Sequence, residues 1–168
     1  ESAEHIRELI FKLKGKGVIN ADHQMALFFA ARSLWVQNLV APNLSDGKSV
    51  LSDRSYAATA AYQGYGEGGD PSVIEVIARE VMGEYMPNAI ILLDISAETS
   101  HMRNANHKDG DPFDDEEIEY TRRVVDGYRG MAERNWSGVP WYKIDAEASI
   151  DDVSKQVSIV LNDVFGIK

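Results

Sequence analysis

The sequence predicts an α/β fold in which helices flank a parallel sheet. Two observations carry that prediction. Strand-like and helix-like segments alternate along the chain, and the run "NAIILLDIS" (residues 88–96) is almost wholly apolar, as a strand covered on both faces is. A third observation concerns extent: only three segments read as strands, few for a parallel sheet, so strands of the full sheet are expected to be missing from this sequence. With 168 residues, no internal repeat and no low-complexity linker, the chain suits a single domain spanning residues 1–168.

Taken in order, "SAEHIRELIFKLK" (2–14) spaces Ile6, Leu9, Ile10 and Leu13 helically, with Ser2 as cap and Gly15 and Gly17 as stop. Asp22 is expected to cap a long helix running through Leu39 or beyond and broken near Pro42. "SVLSD" (49–53) reads as a short strand. "YAATAAYQG" (56–64) reads as an Ala-rich helix stopped by the glycines of "GYGEGGD". Asp70-Pro71 pairs an N-cap with proline at the first helical position, opening a helix over 72–86. The apolar strand follows, then a helix over 98–107, a loop at "KDGDP" and a long helix over 114–135 with its acids in the first turn. "WYKIDA" (141–146) is the last strand, and residues 149–165 form a closing amphipathic helix.

Composition excludes several classes of function. A formal net charge of -10 opposes non-specific attraction to nucleic acid or anionic membranes, so neither is an expected partner. The absence of cysteine rules out disulfides and thiolate metal sites and permits a reducing, cytoplasmic location. No apolar run approaches the roughly 20 residues of a membrane-spanning helix, and no signal peptide is visible.

One motif misleads. "GKS" (47–49) ends a phosphate-binding loop in other proteins, but such a loop needs Gly-x-x-x-x-Gly-Lys-Ser/Thr after a strand and before a helix. Here Pro42 holds the first glycine's place, and the order of elements is reversed. Gly47 is read as a helix-ending glycine and Lys48 as a solvated turn lysine.

Three constellations could carry chemistry. Asp53 and Arg54 close the predicted strand at its carboxyl end, where ligands of open α/β sheets sit; they suit Mg²⁺ and phosphate, or else a structural ion pair. Phe28 and Arg32, four apart on one helical face, could sandwich and hydrogen-bond a nucleobase, or else divide into core and surface. Thr59, Tyr62 and Gln63 share the next helix's face and offer groups for a base edge or sugar, or else simply pack. The histidines lack metal-ligand spacing, and "DPFDDEEIE" reads as a charged helix start.

Read together, "LFFAAR", "VLSDRS", "AAYQG", "ILLDISAETS", "RRVVDGYRGMA" and "WYKIDAEASIDDV" resemble the thymidylate kinase family in order and spacing, over essentially the whole chain. The resemblance implies a P-loop nucleoside-monophosphate-kinase-like fold with its amino-terminal strands missing from this sequence, and a lid at about residues 98–114. It implies transfer of the γ-phosphoryl of ATP to thymidine monophosphate (dTMP), with Mg²⁺, by a cytoplasmic homodimer. By the same resemblance Phe28 stacks on thymine, Arg32 bonds the base, and Thr59 and Gln63 line its pocket. Tyr62 then lies near the deoxyribose, Arg54 binds the acceptor phosphate, and Asp53 positions that phosphate or the Mg²⁺. Of the lid arginines only Arg103 matches; Lys108 is a nearby substitute on the ATP side, and Pro112 sits where a later arginine stands. Ser55 replaces the tyrosine after Asp-Arg. The family's phosphate loop is expected before Glu1, so the 168 residues alone are expected to be inactive. The alternatives are a catalytically degenerate nucleotide-binding or interaction module, and a kinase for another nucleoside or nucleoside monophosphate.

Overall fold

A computed structural model describes residues 2–105 and 117–166, which group into two compact units: residues 2–86, and residues 87–105 with 117–166.

In the first unit α1 (Ser2–Lys14) is closed by Gly15 and by Gly17, whose φ of +66° suits glycine. It packs against α2 (Ala21–Trp35). The cap of α2 is Asn20, not the expected Asp22. Asn20 accepts from the His23 N–H at 3.1 Å while His23 Nδ1 accepts from the Asn20 N–H at 3.3 Å, a reciprocal arrangement that Asp22, already inside the first turn, cannot make.

Pro42 does not end this helix. A π turn (Val36–Val40) runs directly into α3 (Ala41–Ser45), with the Ala41 N–H bonded to the Val36 carbonyl. Widening the ladder just before Pro42 makes room for a ring that would otherwise strike the carbonyl four residues back. The amides of Asn38 and Asn43 supply further donors to the Leu34 and Leu39 carbonyls at 2.7 and 2.8 Å. Around this turn Val36, Val40 and Met82 form a buried cluster flanked by Trp35, Val50, Tyr85 and Met86.

Gly47 does close the helix, with φ +74°, and Lys48 is an exposed turn residue whose ammonium bonds Asp46 and Asn43. The predicted strand over residues 49–53 is absent. A strand is held by ladder bonds to a neighbour, and both described strands belong to the other unit, so the segment runs as an irregular connection with Leu51 83% exposed.

Ser55 caps α4 (Tyr56–Thr59), accepting from the Ala57 N–H, and a second π turn (Ala60–Gly66) continues it. Gly69 follows, its N–H bonded to the Gln63 carbonyl; a Cβ there would lie 2.7 Å from that oxygen. α5 (Pro71–Met82) opens on Asp70 and Pro71 as expected, but ends four residues early at Gly83, with φ +53°. Ile10, Phe29, Tyr56, Ala57, Ala60, Ala61 and Ile74 fill the core.

In the second unit β1 (Ile90–Asp94) and β2 (Trp141–Asp145) pair in parallel, Ile90 opposite Trp141 through Asp94 opposite Asp145. Between them run α6 (Ala97–Ala105) and α7 (Ile118–Glu133), and α8 (Ile150–Phe165) follows β2 with Ser149 as its cap. The expected helix start at 114–116 lies outside the described residues. Side chains alternate along a strand, and Leu92 is buried while Leu93 is half exposed, so the continuous burial expected of this run does not hold.

Asp94 ties the unit together. One carboxylate oxygen takes the Arg129 guanidinium of α7 at 2.8 Å and the other the Lys143 ammonium of β2 at 3.1 Å. Burial alone would raise the Asp94 pKa, but the two cations outweigh it and hold the carboxyl below its ordinary value. A depressed carboxylate contributes stability above its unfolded pKa, and that contribution is lost as pH falls through the folded one. Asp94→Asn should therefore melt below the wild type at neutral pH, with the gap closing as the pH drops below about 4. Melting curves across that range check this; a gap that stays constant would refute it.

Candidate active site

Seven of the residues singled out in the sequence line one cavity of about 240 Å³ in the first unit: Phe28, Arg32, Asp53, Arg54, Thr59, Tyr62 and Gln63. Three walls bring them together. α2 contributes Phe28 and Arg32, one helical turn apart. The two adjacent phenylalanines divide: Phe29 enters the core at 3% exposure, and Phe28 faces the cavity. α4 and its π turn contribute Thr59, Tyr62 and Gln63, with Thr59 and Gln63 buried.

The third wall is the corner at residues 52–54. Arg54 has φ +67°, the left-handed region that non-glycine residues adopt at a cost. Ser52 Oγ donates to the Arg54 carbonyl at 2.9 Å, bracing the turn. The Arg54 guanidinium lies 5.2 Å from the centroid of the Tyr62 ring, within cation–π range. Asp53 and Arg54 are thus carried by a strained corner, not by the strand end the sequence suggested.

Behind the cavity wall runs a line of hydrogen bonds. Gln63 Nε2 donates to Gln24 Oε1 at 3.2 Å, Gln24 Nε2 donates to Glu67 Oε2 at 2.7 Å, and Lys14 Nζ donates to Glu67 Oε1 at 3.1 Å. Both glutamines are almost wholly buried.

The cavity also takes in Glu4, Arg7 and Phe11 from α1 and Trp35 from α2, which sequence reasoning missed. Trp35 lies three residues past Arg32 on the face already identified. Arg7 and Phe11 repeat the four-residue spacing of a guanidinium and an aromatic ring, and their groups stack at 5.3 Å. On a chain of net charge -10, three arginines (Arg7, Arg32, Arg54) line one small cavity beside two acids (Glu4, Asp53) and several aromatic faces. That lining suits a planar ring carrying an anionic group.

Arg103 lies in the second unit, on α6. Its Nη1 donates to the Ala146 carbonyl at 3.2 Å, just past the carboxyl end of β2. Lys108, Pro112 and the expected lid from residue 106 on lie outside the described residues. Among the described residues no three His, Cys, Asp or Glu side chains cluster to hold a metal, and no helix is long and apolar enough to cross a membrane.

The family model described as "Thymidylate kinase" matches residues 1–157. The chain belongs to the thymidylate kinase family. It is 33% identical over 165 residues to the thymidylate kinase of Neisseria gonorrhoeae strain NCCP11945, covering 97% of this chain and 77% of that protein. The thymidylate kinase of Nitrosospira multiformis is 32% identical over 154 residues, 92% of this chain and 73% of its own. That of Marinomonas sp. strain MWYL1 is 31% identical over 155 residues, 92% of this chain and 72% of its own. Membership of the thymidylate kinase family bears out the α/β class and kinase reading made from the ordered motifs, all of which lie within the matched span.

The corner at Arg54 makes a prediction independent of any ligand. Arg54→Gly relieves the left-handed backbone, whereas Arg54→Ala keeps it, and both remove the guanidinium equally. The glycine variant should therefore be the more stable of the two by about 1 kcal/mol. Paired urea titrations measure the difference; equal midpoints would show that the corner carries no backbone cost.

Proposed function

We propose that this protein works as a thymidylate kinase, transferring the γ-phosphoryl of ATP to dTMP to give dTDP, and that the cavity of the first unit is its acceptor site. The observation that supports this reading is the convergence of Phe28, Arg32, Thr59 and Gln63 with Asp53 and Arg54 on one cavity. The first four offer an aromatic face, a guanidinium fork, a hydroxyl and an amide, the groups a pyrimidine face and edge require. In this reading Tyr62, which lies under the Arg54 guanidinium, stands near the deoxyribose and disfavours a ribose 2′-hydroxyl.

In this reading Arg54 holds the acceptor phosphate, its fork matching two phosphate oxygens. An oxygen of that phosphate attacks the γ-phosphorus of ATP, the bond to the β-phosphate oxygen breaks, and ADP leaves. Positioning and charge neutralisation supply most of the catalysis in such a transfer, so no side-chain nucleophile is needed. Arg103, near the carboxyl end of β2, is assigned to the ATP side as the catalytic lid arginine, which neutralises charge on the transferring phosphoryl. Lys108 is assigned to the same side. A lone carboxylate suits Mg²⁺, which keeps waters and takes phosphate oxygens as further ligands. Asp53 is the residue assigned to it, and the ion's part is to neutralise phosphate charge. A cytoplasmic homodimer completes the reading.

Two measurements test it. With the full-length protein, a coupled assay should show turnover of thymidylate well above that of uridylate, cytidylate or guanylate. Turnover of another acceptor without thymidylate would overturn the assignment, and nucleotide binding without turnover would make the protein a binding module. Arg54 is exposed in the free protein, so Arg54→Ala should cost roughly 1.5–3 kcal/mol of thymidylate binding, the range for hydrogen bonds to charged groups. Thymidine, which has no phosphate, should lose far less. Equal losses for both ligands, with a large drop in melting temperature, would instead make Arg54 a structural residue.

A further inference from the structure

We infer that Glu67 and Gln24 are positioning residues that set which way round Gln63 presents its amide, and so select thymine over cytosine. The inference rests on the reading of the cavity as a pyrimidine site and goes beyond it to residues that do not line the cavity.

Donor and acceptor polarity decides the orientation. An amide side chain alone can rotate to offer either its oxygen or its N–H groups. Gln63 cannot do so freely, because its Nε2 is bonded to Gln24 Oε1. Gln24 in turn cannot rotate, because its Nε2 is bonded to Glu67 Oε2 at 2.7 Å. The sequence of constraints ends there, since a carboxylate has no N–H to offer and accepts only. Lys14 occupies the other Glu67 oxygen and holds the carboxylate in place. Reversing either amide would set oxygen against oxygen inside a region where both glutamines are nearly excluded from water, at 1% and 2% exposure.

With one N–H committed to Gln24, Gln63 keeps its carbonyl oxygen fixed as the acceptor. Thymine carries a donor at N3; cytosine carries an acceptor at N3 and a donor at N4. A locked acceptor bonds the first and opposes the N3 lone pair of the second. Sites that hydrogen-bond a ligand through buried polar groups reject mismatched analogues strongly, because a mismatch leaves those groups unpaired.

The test compares binding of dTMP and dCMP by the full-length protein. Glu67→Gln keeps the size but restores an N–H at the end of the line, so both amides can reverse. The dTMP-to-dCMP affinity ratio should fall about tenfold, the scale of one hydrogen bond to a charged group. Adding Gln24→Glu to that variant returns a carboxylate to the line, now directly on the Gln63 N–H, and should restore the ratio to within about threefold of the wild type. A merely structural role predicts no such rescue. Should Glu67→Gln fail to fold, Gln24→Met removes the same constraint with an apolar side chain and carries the same expected loss. An unchanged ratio in the single variant, or no recovery in the double, overturns the inference while leaving the pyrimidine site intact. A wild-type protein that binds neither nucleotide overturns both.

Discussion

A carboxylate set among three helical segments organises the first unit. Glu67 sits at the end of the second π turn and reaches α1 through Lys14 and α2 through Gln24. Its side chain is only 17% exposed, so each oxygen needs a partner, and it finds one on each neighbouring helix. Those partners are 53 and 43 residues away in sequence, which makes this carboxylate a long-range fastener among the segments that wall the cavity. Packing alone would allow the helices to slide; a fully satisfied polar line fixes one arrangement.

The π turns serve the same end. The first lets α2 pass Pro42 without a break, so the helix bearing Phe28, Arg32 and Trp35 continues on to α3. The second carries Tyr62 and Gln63 on a widened ladder, and such insertions gather where a helix must re-aim its side chains. Gly64 is part of the fit: a Cβ there would lie 3.3 Å from side-chain carbons of Pro71 and Ile74 of α5.

Much of the cavity was legible in the sequence because its residues recur at helical spacing. Phe28 with Arg32, and Thr59 with Tyr62 and Gln63, announce shared faces before any tertiary contact is known. The same rule extended by one step would have found Trp35. What could not be read is what depends on distant partners. Residues 49–53 have a strand's local pattern but no ladder neighbour among the described residues of their unit, so local preference had nothing to act on. Gln24 and Glu67 look like ordinary polar residues, and only the fold brings them together. The cap of α2 was misplaced by two residues because the reciprocal bond between Asn20 and His23 outweighs a lone acid at position 22.

Arg54 shows how backbone and chemistry bear on one position. A left-handed residue without glycine costs about 1–2 kcal/mol, and here that cost is accepted beside a serine that braces the turn. Glycine would relieve it but would remove the guanidinium over Tyr62 and the cation at the cavity. A hydrogen bond from this exposed guanidinium to a ligand phosphate is worth roughly 1.5–3 kcal/mol. On the proposed reading the contact therefore offsets the strain, and arginine at this corner suits a protein that must hold an anion.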